Sequence, residues 1–167
     1  GIIGGQLDMD KIEKGLKKIV GKLDTDGGYD AGEAIMTTDT FPKNIAVKIK
    51  IDGKEVTIGG MAKGSGMIHP DMATMLSFLT TDVSIDKELL QKAFSGSSDK
   101  TYNMISVDGD TSTNDMAGIL ANGTAGNKKI TDENSEDYKI FKEALDYVNE
   151  ELAKSIAKDG EGATKLI

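Results

Sequence analysis

The 167-residue sequence contains no cysteine and no tryptophan, and histidine occurs only once, at position 69. Without cysteine the chain offers no disulfide framework, no thiol nucleophile and no zinc–thiolate site. A Ser–His–Asp triad is open to it only if His69 itself is the base. This scarcity favours a nucleophile that carries its own base in any hydrolase or transferase reading.

Long apolar runs and excess positive charge are also absent. No stretch approaches the roughly 20 apolar residues of a membrane span, and no signal-peptide pattern opens the chain. The net charge is −8 and the pI is about 4.7, which disfavours binding to nucleic acid or anionic membranes. We therefore expect no nucleic-acid partner, no membrane association and, with cysteine lacking, a cytoplasmic location.

The length suits one domain, 1–167, with a single core. The chain opens on Gly1 with no initiator methionine, and residues 164–167 resemble the first half of a strand. We therefore expect that both ends are trimmed and that part of the functional site lies outside this chain.

Helical spacing of apolar residues predicts four helices. The first follows the capping-box pattern Asp10-x-x-Glu13, and residues 95–99 are expected to be a loop after the third. The predicted helices span 10–23, 30–36, 86–94 and 136–158.

Strands are predicted by period-two alternation and by short apolar runs. Asp52-Gly53 predicts a hairpin turn between the first two strands. The predicted strands cover 47–51, 56–58, 74–80 and 104–107, while 116–121 fits either a strand or a short helix. Hairpins mixed with helices favour an α+β layered sandwich.

The glycine-rich segment 59–66 leads through Ala73-Thr74 into an apolar run. A threonine at a chain N-terminus carries its own base, because its α-amino group titrates near neutrality. The same hydroxyl could free that amine by attacking the Ala73 carbonyl, helped by a strained approach. The alternative is that Thr74 is an ordinary β-branched strand residue.

Three other positions each allow a functional and a plain interpretation. Lys63 could bind a substrate carboxylate or be a solvated surface lysine; its Lys-Gly-Ser order is not that of a Walker A loop. Glu161, between two glycines, could meet a ligand amine or belong to a turn. The loop 37–40 could bind a ligand or cap a helix, whereas His69 is interpreted as local structure.

The polar run 108–115 suggests a calcium loop at first sight. It fails where an EF-hand requires Gly, at Thr113, and where it requires Glu, at Ile119. A network of Asx turns is the better interpretation, and no metal is expected.

Several segments together resemble the ornithine acetyltransferase (glutamate N-acetyltransferase) family. Their order and spacing fit along the whole chain, and because family members are more than twice as long, the resemblance implies a central fragment. The segments are Gly1-Ile2-Ile3-Gly4, Thr37-Thr38-Asp39-Thr40, 62–68, 72–76, 107–115 and 159–165.

The resemblance implies an αββα-type sandwich similar to the L-aminopeptidase/D-esterase fold. It implies ping-pong acetyl transfer from N-acetylornithine to glutamate in arginine biosynthesis, with acetyl-CoA as a further donor in some members. No cofactor is implied. The chain would break between Ala73 and Thr74, and the cleaved chains, with the remainder of the protein, would form a heterotetramer.

Carried over position by position, Thr74 is the nucleophile and Gly1 one of two oxyanion-hole residues. Thr37, Lys63, Thr74 and Glu161 match the family's substrate contacts. Two alternatives stay open: an N-terminal-threonine amidohydrolase or aminopeptidase that uses water as acceptor, and a non-catalytic fragment that binds an amino acid or assembles with other subunits.

Overall fold

The computed structural model describes residues 4–69 and 75–165. It contains a four-stranded sheet, four α-helices and a short 3-10 helix, Tyr102–Met104. The α-helices are α1 Met9–Val20, α2 Gly28–Ala34, α3 Lys87–Ser98 and α4 Glu136–Lys158. The strands are β1 Lys43–Ile51, β2 Lys54–Lys63, β3 Leu76–Thr81 and β4 Met116–Ala121.

The strands lie in the order β1-β2-β3-β4. The first three are antiparallel neighbours, whereas β4 runs parallel to β3. Asp52 and Gly53 both adopt positive φ, at 50° and 71°, and Ile51 pairs with Lys54 across this two-residue turn. The predicted Asp-Gly hairpin is confirmed, since such turns require the left-handed region.

Helix α4 covers one face of the sheet and carries the core. Its inward-facing side chains, spaced at helical period, are almost fully buried: Phe141, Leu145, Val148, Leu152 and Ile156. Ser135 caps its first turn by accepting a hydrogen bond from the Tyr138 amide at 3.2 Å. The predicted bounds of this helix, 136–158, are confirmed.

The expected α+β class is confirmed. Within the described residues α4 packs on one face of the sheet with α3 beside it, while α2 contacts the ends of β1 and β2. On the opposite face, apolar side chains of β4 are exposed. Leu120 is 74% exposed and Met116 48% exposed. Helix α1 also shows an uncovered apolar stripe, because none of its residues is buried.

Several predicted boundaries differ from the structure. Helix α3 runs through the expected loop 95–99 to Ser98, whose hydroxyl donates to the Phe94 carbonyl at 2.9 Å within the helix. The first cap is Asp8, which accepts from the Lys11 amide at 3.1 Å, rather than Asp10. Strand β2 also extends through the glycines to Lys63.

The strand predicted at 104–107 is wrong. A 3-10 helix occupies its start, and Val107 forms one backbone bond, to the Ile68 carbonyl at 2.7 Å. Residues 116–121 form a strand, β4, rather than a short helix. Over the described ranges, no helix is both long and apolar enough to span a bilayer.

Candidate active site

Lys43, the first residue of β1, lies at the centre of a buried charged cluster. Its ammonium group is 2.7 Å from the Asp39 carboxylate and 2.6 Å from that of Asp159, and these side chains are between 0% and 3% exposed. The same ammonium lies 4.8 Å from the centre of the Phe41 ring. The cluster joins the loop before β1 to the end of α4, 116 residues later.

Asp39 connects this cluster to two loops. Its carboxylate accepts from the Thr37 amide at 3.1 Å and from the Gly64 amide at 2.7 Å. Burial alone would raise the pKa of the Asp39 carboxyl, but the bonds from Lys43, Gly64 and Thr37 outweigh burial and lower it below its ordinary value. Asp39 therefore stays ionised and fixes the main chain at both Thr37 and Gly64.

Asp159 is the C-cap residue of α4 and ties the end of that helix to the loop 37–40. It accepts from the Thr40 amide at 2.9 Å and, in a short bond, from the Thr40 hydroxyl. Burial raises the pKa of the Asp159 carboxyl, yet the bonds from Lys43 and Thr40 lower it overall. Two carboxylates around one lysine leave this buried group with a net negative charge, offset by the amide and hydroxyl donors.

Glu161 follows two residues after Asp159 and lies against the glycine-rich segment. Its amide donates to the Ser65 carbonyl at 2.7 Å, and a Cβ placed on Gly66 would be 3.1 Å from its Oε2. The Ser65 and Thr38 hydroxyls share a hydrogen bond of 2.6 Å. A glycine at position 66 therefore lets the Glu161 carboxylate approach the main chain closely.

Lys63 is the last residue of β2 and is only 8% exposed. This burial excludes the interpretation as a solvated surface lysine. In the sheet Lys63 pairs with Leu76 on β3, so it lies opposite a position two residues after Thr74. Its positive charge also acts on Asp115 and opposes the effect of burial on the pKa of that carboxyl.

The loops that carry Thr37, Lys63 and Glu161 thus meet at one end of the sheet. Thr37 is exposed, and its amide donates to the Asp39 carboxylate. Glu161 is exposed, and its carboxylate lies close to Gly66. His69 is exposed and contacts Ser106 at 3.3 Å. The predicted residues Gly1, Ala73 and Thr74 lie outside the described residues.

Reasoning from the sequence missed Lys43, Asp39 and Asp159 as residues that organise the site. Lys43 precedes the alternating strand pattern and resembles an ordinary polar strand end. The bond from the Gly64 amide to Asp39 spans 25 residues, and the bond from Lys43 to Asp159 spans 116. No local spacing in the sequence could have indicated either bond. The acidic residue before the Gly160-Glu161 pair was the only local signal.

The fold and the site define an α+β protein with a small polar site, rich in charged side chains, at one end of its sheet. The chain belongs to the ArgJ family, whose sequence profile matches residues 1–167. No group of three or more histidine or acidic side chains within the described residues could hold a metal ion.

Similar proteins agree with this assignment. The chain is 58% identical to the arginine biosynthesis bifunctional protein ArgJ of Caldanaerobacter subterraneus subsp. tengcongensis and 59% identical to ArgJ 1 of Clostridium acetobutylicum. Each match covers 100% of this chain and 41% of the relative, so the chain spans about two fifths of their length.

A solved structure is also similar. The crystal structure of the arginine biosynthesis bifunctional protein ArgJ from Bacillus halodurans superimposes with a TM-score of 0.53 at 54% identity. The match covers 55% of this chain and 43% of that one. It supports the α+β fold independently of the sequence profile.

Proposed function

We propose that this chain is the central part of an acetyltransferase of arginine biosynthesis, which moves the acetyl group of N-acetylornithine to glutamate. The observation that carries the proposal is the meeting of the Thr37, Lys63 and Glu161 loops around the buried Lys43 cluster. Its chemistry suits an amino-acid substrate, since Lys63 can pair with a carboxylate and Glu161 with an ammonium group. The chain's relatives are arginine biosynthesis bifunctional proteins, which agrees with a role in amino-acid biosynthesis.

Thr74 is the proposed nucleophile, after self-cleavage of the Ala73–Thr74 bond. Its hydroxyl attacks the Ala73 carbonyl, the ester that forms is hydrolysed by water, and the released α-amino group becomes the base. In transfer, the hydroxyl attacks the acetyl carbonyl of N-acetylornithine, the amide bond breaks, and ornithine leaves with a proton on its nitrogen. The amine of glutamate then attacks the acetyl ester and regenerates Thr74.

The other assignments are proposed on the same basis. Gly1 donates its amide to the oxyanion, and Thr37 contacts the substrate. The reaction needs no metal or resident cofactor, while acetyl-CoA is a second donor that would supply the same acetyl group. The protein is expected to act in the cytoplasm as a heterotetramer of the two cleaved chains with the remainder of the protein.

Cleavage is tested by the denaturing intact mass of the purified protein, which as one chain is 17.7 kDa. Two fragments that meet at Ala73 and Thr74 are expected. Thr74→Ala should abolish cleavage because it removes the hydroxyl, whereas Thr74→Ser should keep it. Cleavage that survives in the alanine variant would exclude Thr74 as nucleophile.

Acetyl transfer is tested with N-acetylornithine in the presence and absence of glutamate. Acetylglutamate is the expected product, and free acetate unaffected by glutamate would indicate an amidohydrolase instead. A chimera in which residues 1–167 replace the matching segment of the Caldanaerobacter relative supplies the residues outside this chain. An inactive but folded chimera would contradict the proposal.

A further inference from the structure

The polar run 108–115 makes its main contacts with a distant part of the chain. Asp108 accepts from the Ile68 amide at 3.0 Å and, in a short bond, from the Met67 amide. Met67 has a positive φ of 55°, a conformation uncommon for a residue with a side chain. The Asp108 carboxylate therefore stabilises a constrained backbone just before residues 70–74.

The other end of the run holds the chain just after residues 70–74. Asp115 accepts from the Met75 amide at 2.7 Å, and the amide of its neighbour Met116 donates to the Met75 carbonyl at 3.2 Å. On the first side, Val107 likewise donates to the Ile68 carbonyl at 2.7 Å. Each flank is thus held through both an amide and a carbonyl.

These contacts are not those of a self-contained turn. A local Asx network satisfies its own loop. Within the described part of the loop, Asp108 accepts from the Asp110 amide at 3.1 Å, and the Ser112 side chain opposes the effect of burial on the pKa of Asp115. The bonds to Met67, Ile68 and Met75 each span 40 or 41 residues. Two aspartates seven positions apart therefore hold two points of the chain that are also seven positions apart.

Asp115 has one further feature. Its second oxygen, Oδ2, is buried and has no hydrogen-bond partner among the described residues. The other oxygen of the carboxylate, Oδ1, accepts from the Met75 amide. The Met75 amide it holds belongs to the peptide bond that follows Thr74 directly in the chain.

We propose that Asp108 and Asp115 are positioning residues that hold both flanks of residues 70–74 and thereby orient the Ala73–Thr74 bond for self-cleavage. The proposal rests on the proposed function. Intramolecular attack depends steeply on the relative placement of hydroxyl and carbonyl. Loss of either contact, at Ile68 or at Met75, should therefore slow the attack of the Thr74 hydroxyl on the Ala73 carbonyl.

The test is the rate at which the precursor disappears, followed by denaturing intact mass. Asp108→Ala and Asp115→Ala should each slow cleavage by about 10-fold or more, because the flank loses its fixed position. Asp115→Asn should restore most of the rate, since the amide oxygen can still accept from Met75. Asp110→Ala, in the same exposed loop, is the matched control and should cleave at the normal rate.

A second measurement is independent of cleavage. In the Thr74→Ala background, amide hydrogen exchange at Met67, Ile68 and Met75 should speed up when the aspartate that binds each is replaced, while exchange in α4 is unchanged. If the unmodified chain is never cleaved, the proposed function fails, and exchange alone decides whether the two aspartates hold the flanks.

The proposal is overturned by any of three results in folded variants: normal cleavage in Asp115→Ala and Asp108→Ala, unchanged amide exchange at the three positions, or an asparagine variant no faster than alanine. The last result would show that the hydrogen bond to Met75 is not what matters.

Discussion

At Gly66 the side chain of a proposed substrate-binding residue, Glu161, comes close to the backbone. A Cβ placed on Gly66 would be 3.1 Å from Oε2 and 3.2 Å from Cδ of Glu161. Because Glu161 is exposed and flexible at its tip, an added methyl group can displace it by a few tenths of an ångström without unfolding the loop. A methyl group at position 66 should therefore move the Glu161 carboxylate and leave the fold unchanged.

Gly66→Ala should therefore raise KM for the amino-acid substrate by about 3- to 10-fold with little change in kcat, as expected when ground-state binding is weakened. Steady-state kinetics on the cleaved enzyme measures this. Gly96→Ala is the control, since nothing lies within 4 Å of its added Cβ, and a helix gains about 0.5–1 kcal/mol from the change. An unchanged KM in Gly66→Ala would argue against Glu161 as a substrate contact.

Strand β2 shows how one element serves the core and the site together. Its burial rises along its length, from exposed Lys54 to buried Lys63, as the strand passes beneath α4. Gly60 lies under that helix, where an added Cβ would be 3.0 Å from Leu152 and 3.2 Å from Val148. The missing side chain lets α4 approach the sheet, and Asp159 at the end of α4 thereby reaches Lys43.

Gly60→Ala should destabilise the protein by about 1–3 kcal/mol, the usual cost of overpacking a well-filled core. Its neighbour Gly59 faces the other side of the sheet, where the nearest atom to an added Cβ is Thr80 Oγ1 at 3.9 Å. Gly59→Ala should change stability by no more than about 0.5 kcal/mol. Urea unfolding of both variants measures the difference, and equal effects would contradict the packing of α4 on Gly60.

A second polar network ties the elements together beneath the sheet. The Tyr102 hydroxyl contacts Ser77 of β3 at 2.9 Å and donates to Asn149 of α4 at 3.0 Å. Asn149 in turn donates to Ser97 of α3 at 2.8 Å. Burial raises the pKa of the Tyr102 hydroxyl far above its ordinary value, so this group stays protonated and keeps its role as donor.

The acid stability of the protein as a unit follows from the Lys43 cluster. Asp39 and Asp159 have pKa values below the ordinary 3.8 in the folded chain. The unfolded chain therefore binds more protons in that range, so their contribution to stability is present above about pH 4 and is lost as the pH falls through the folded values. A cluster that holds three loops should weaken in acid.

Asp159→Asn should cost about 1–3 kcal/mol at neutral pH, because it weakens the charged hydrogen bonds to Lys43 and Thr40 while Asp39 still balances the Lys43 charge. It should also flatten the loss of stability below about pH 4, since the titrating group is gone. Urea unfolding at several pH values measures both effects. Asp110→Asn is the exposed control. If Asp159→Asn loses stability with falling pH as steeply as the unmodified protein, Asp159 does not contribute to the acid sensitivity.

The uncovered surfaces also belong to the description of the protein as a unit. Within the described residues, the apolar stripe of α1 and the apolar side chains of β4 are exposed, and the chain spans 41% of the length of its ArgJ relative from Caldanaerobacter. Exposed apolar faces of this kind are typical of segments that pack against further protein.

Local patterns determined which elements this protein would form. The 3.6-residue period of α4, the alternation of β1 and the Asp-Gly turn each depend on neighbours a few positions away, and all three predictions are confirmed. Local patterns were insufficient at two places. The serine-rich segment 95–98 continues α3, with the Ser98 hydroxyl bonded to the Phe94 carbonyl. Residues 104–107 have no neighbouring strand among the described residues and do not form the predicted strand.

The motifs likewise indicated Lys63, Glu161 and the family, because each motif is a short continuous stretch of the sequence. Only the tertiary structure decided that Lys43 lies between Asp39 and Asp159, and that Asp108 and Asp115 hold the chain on either side of residues 70–74. The physical reason is the range of the interaction. A hydrogen bond or ion pair across 40 or 116 residues depends on how helices and strands pack, and no spacing along the chain records that packing.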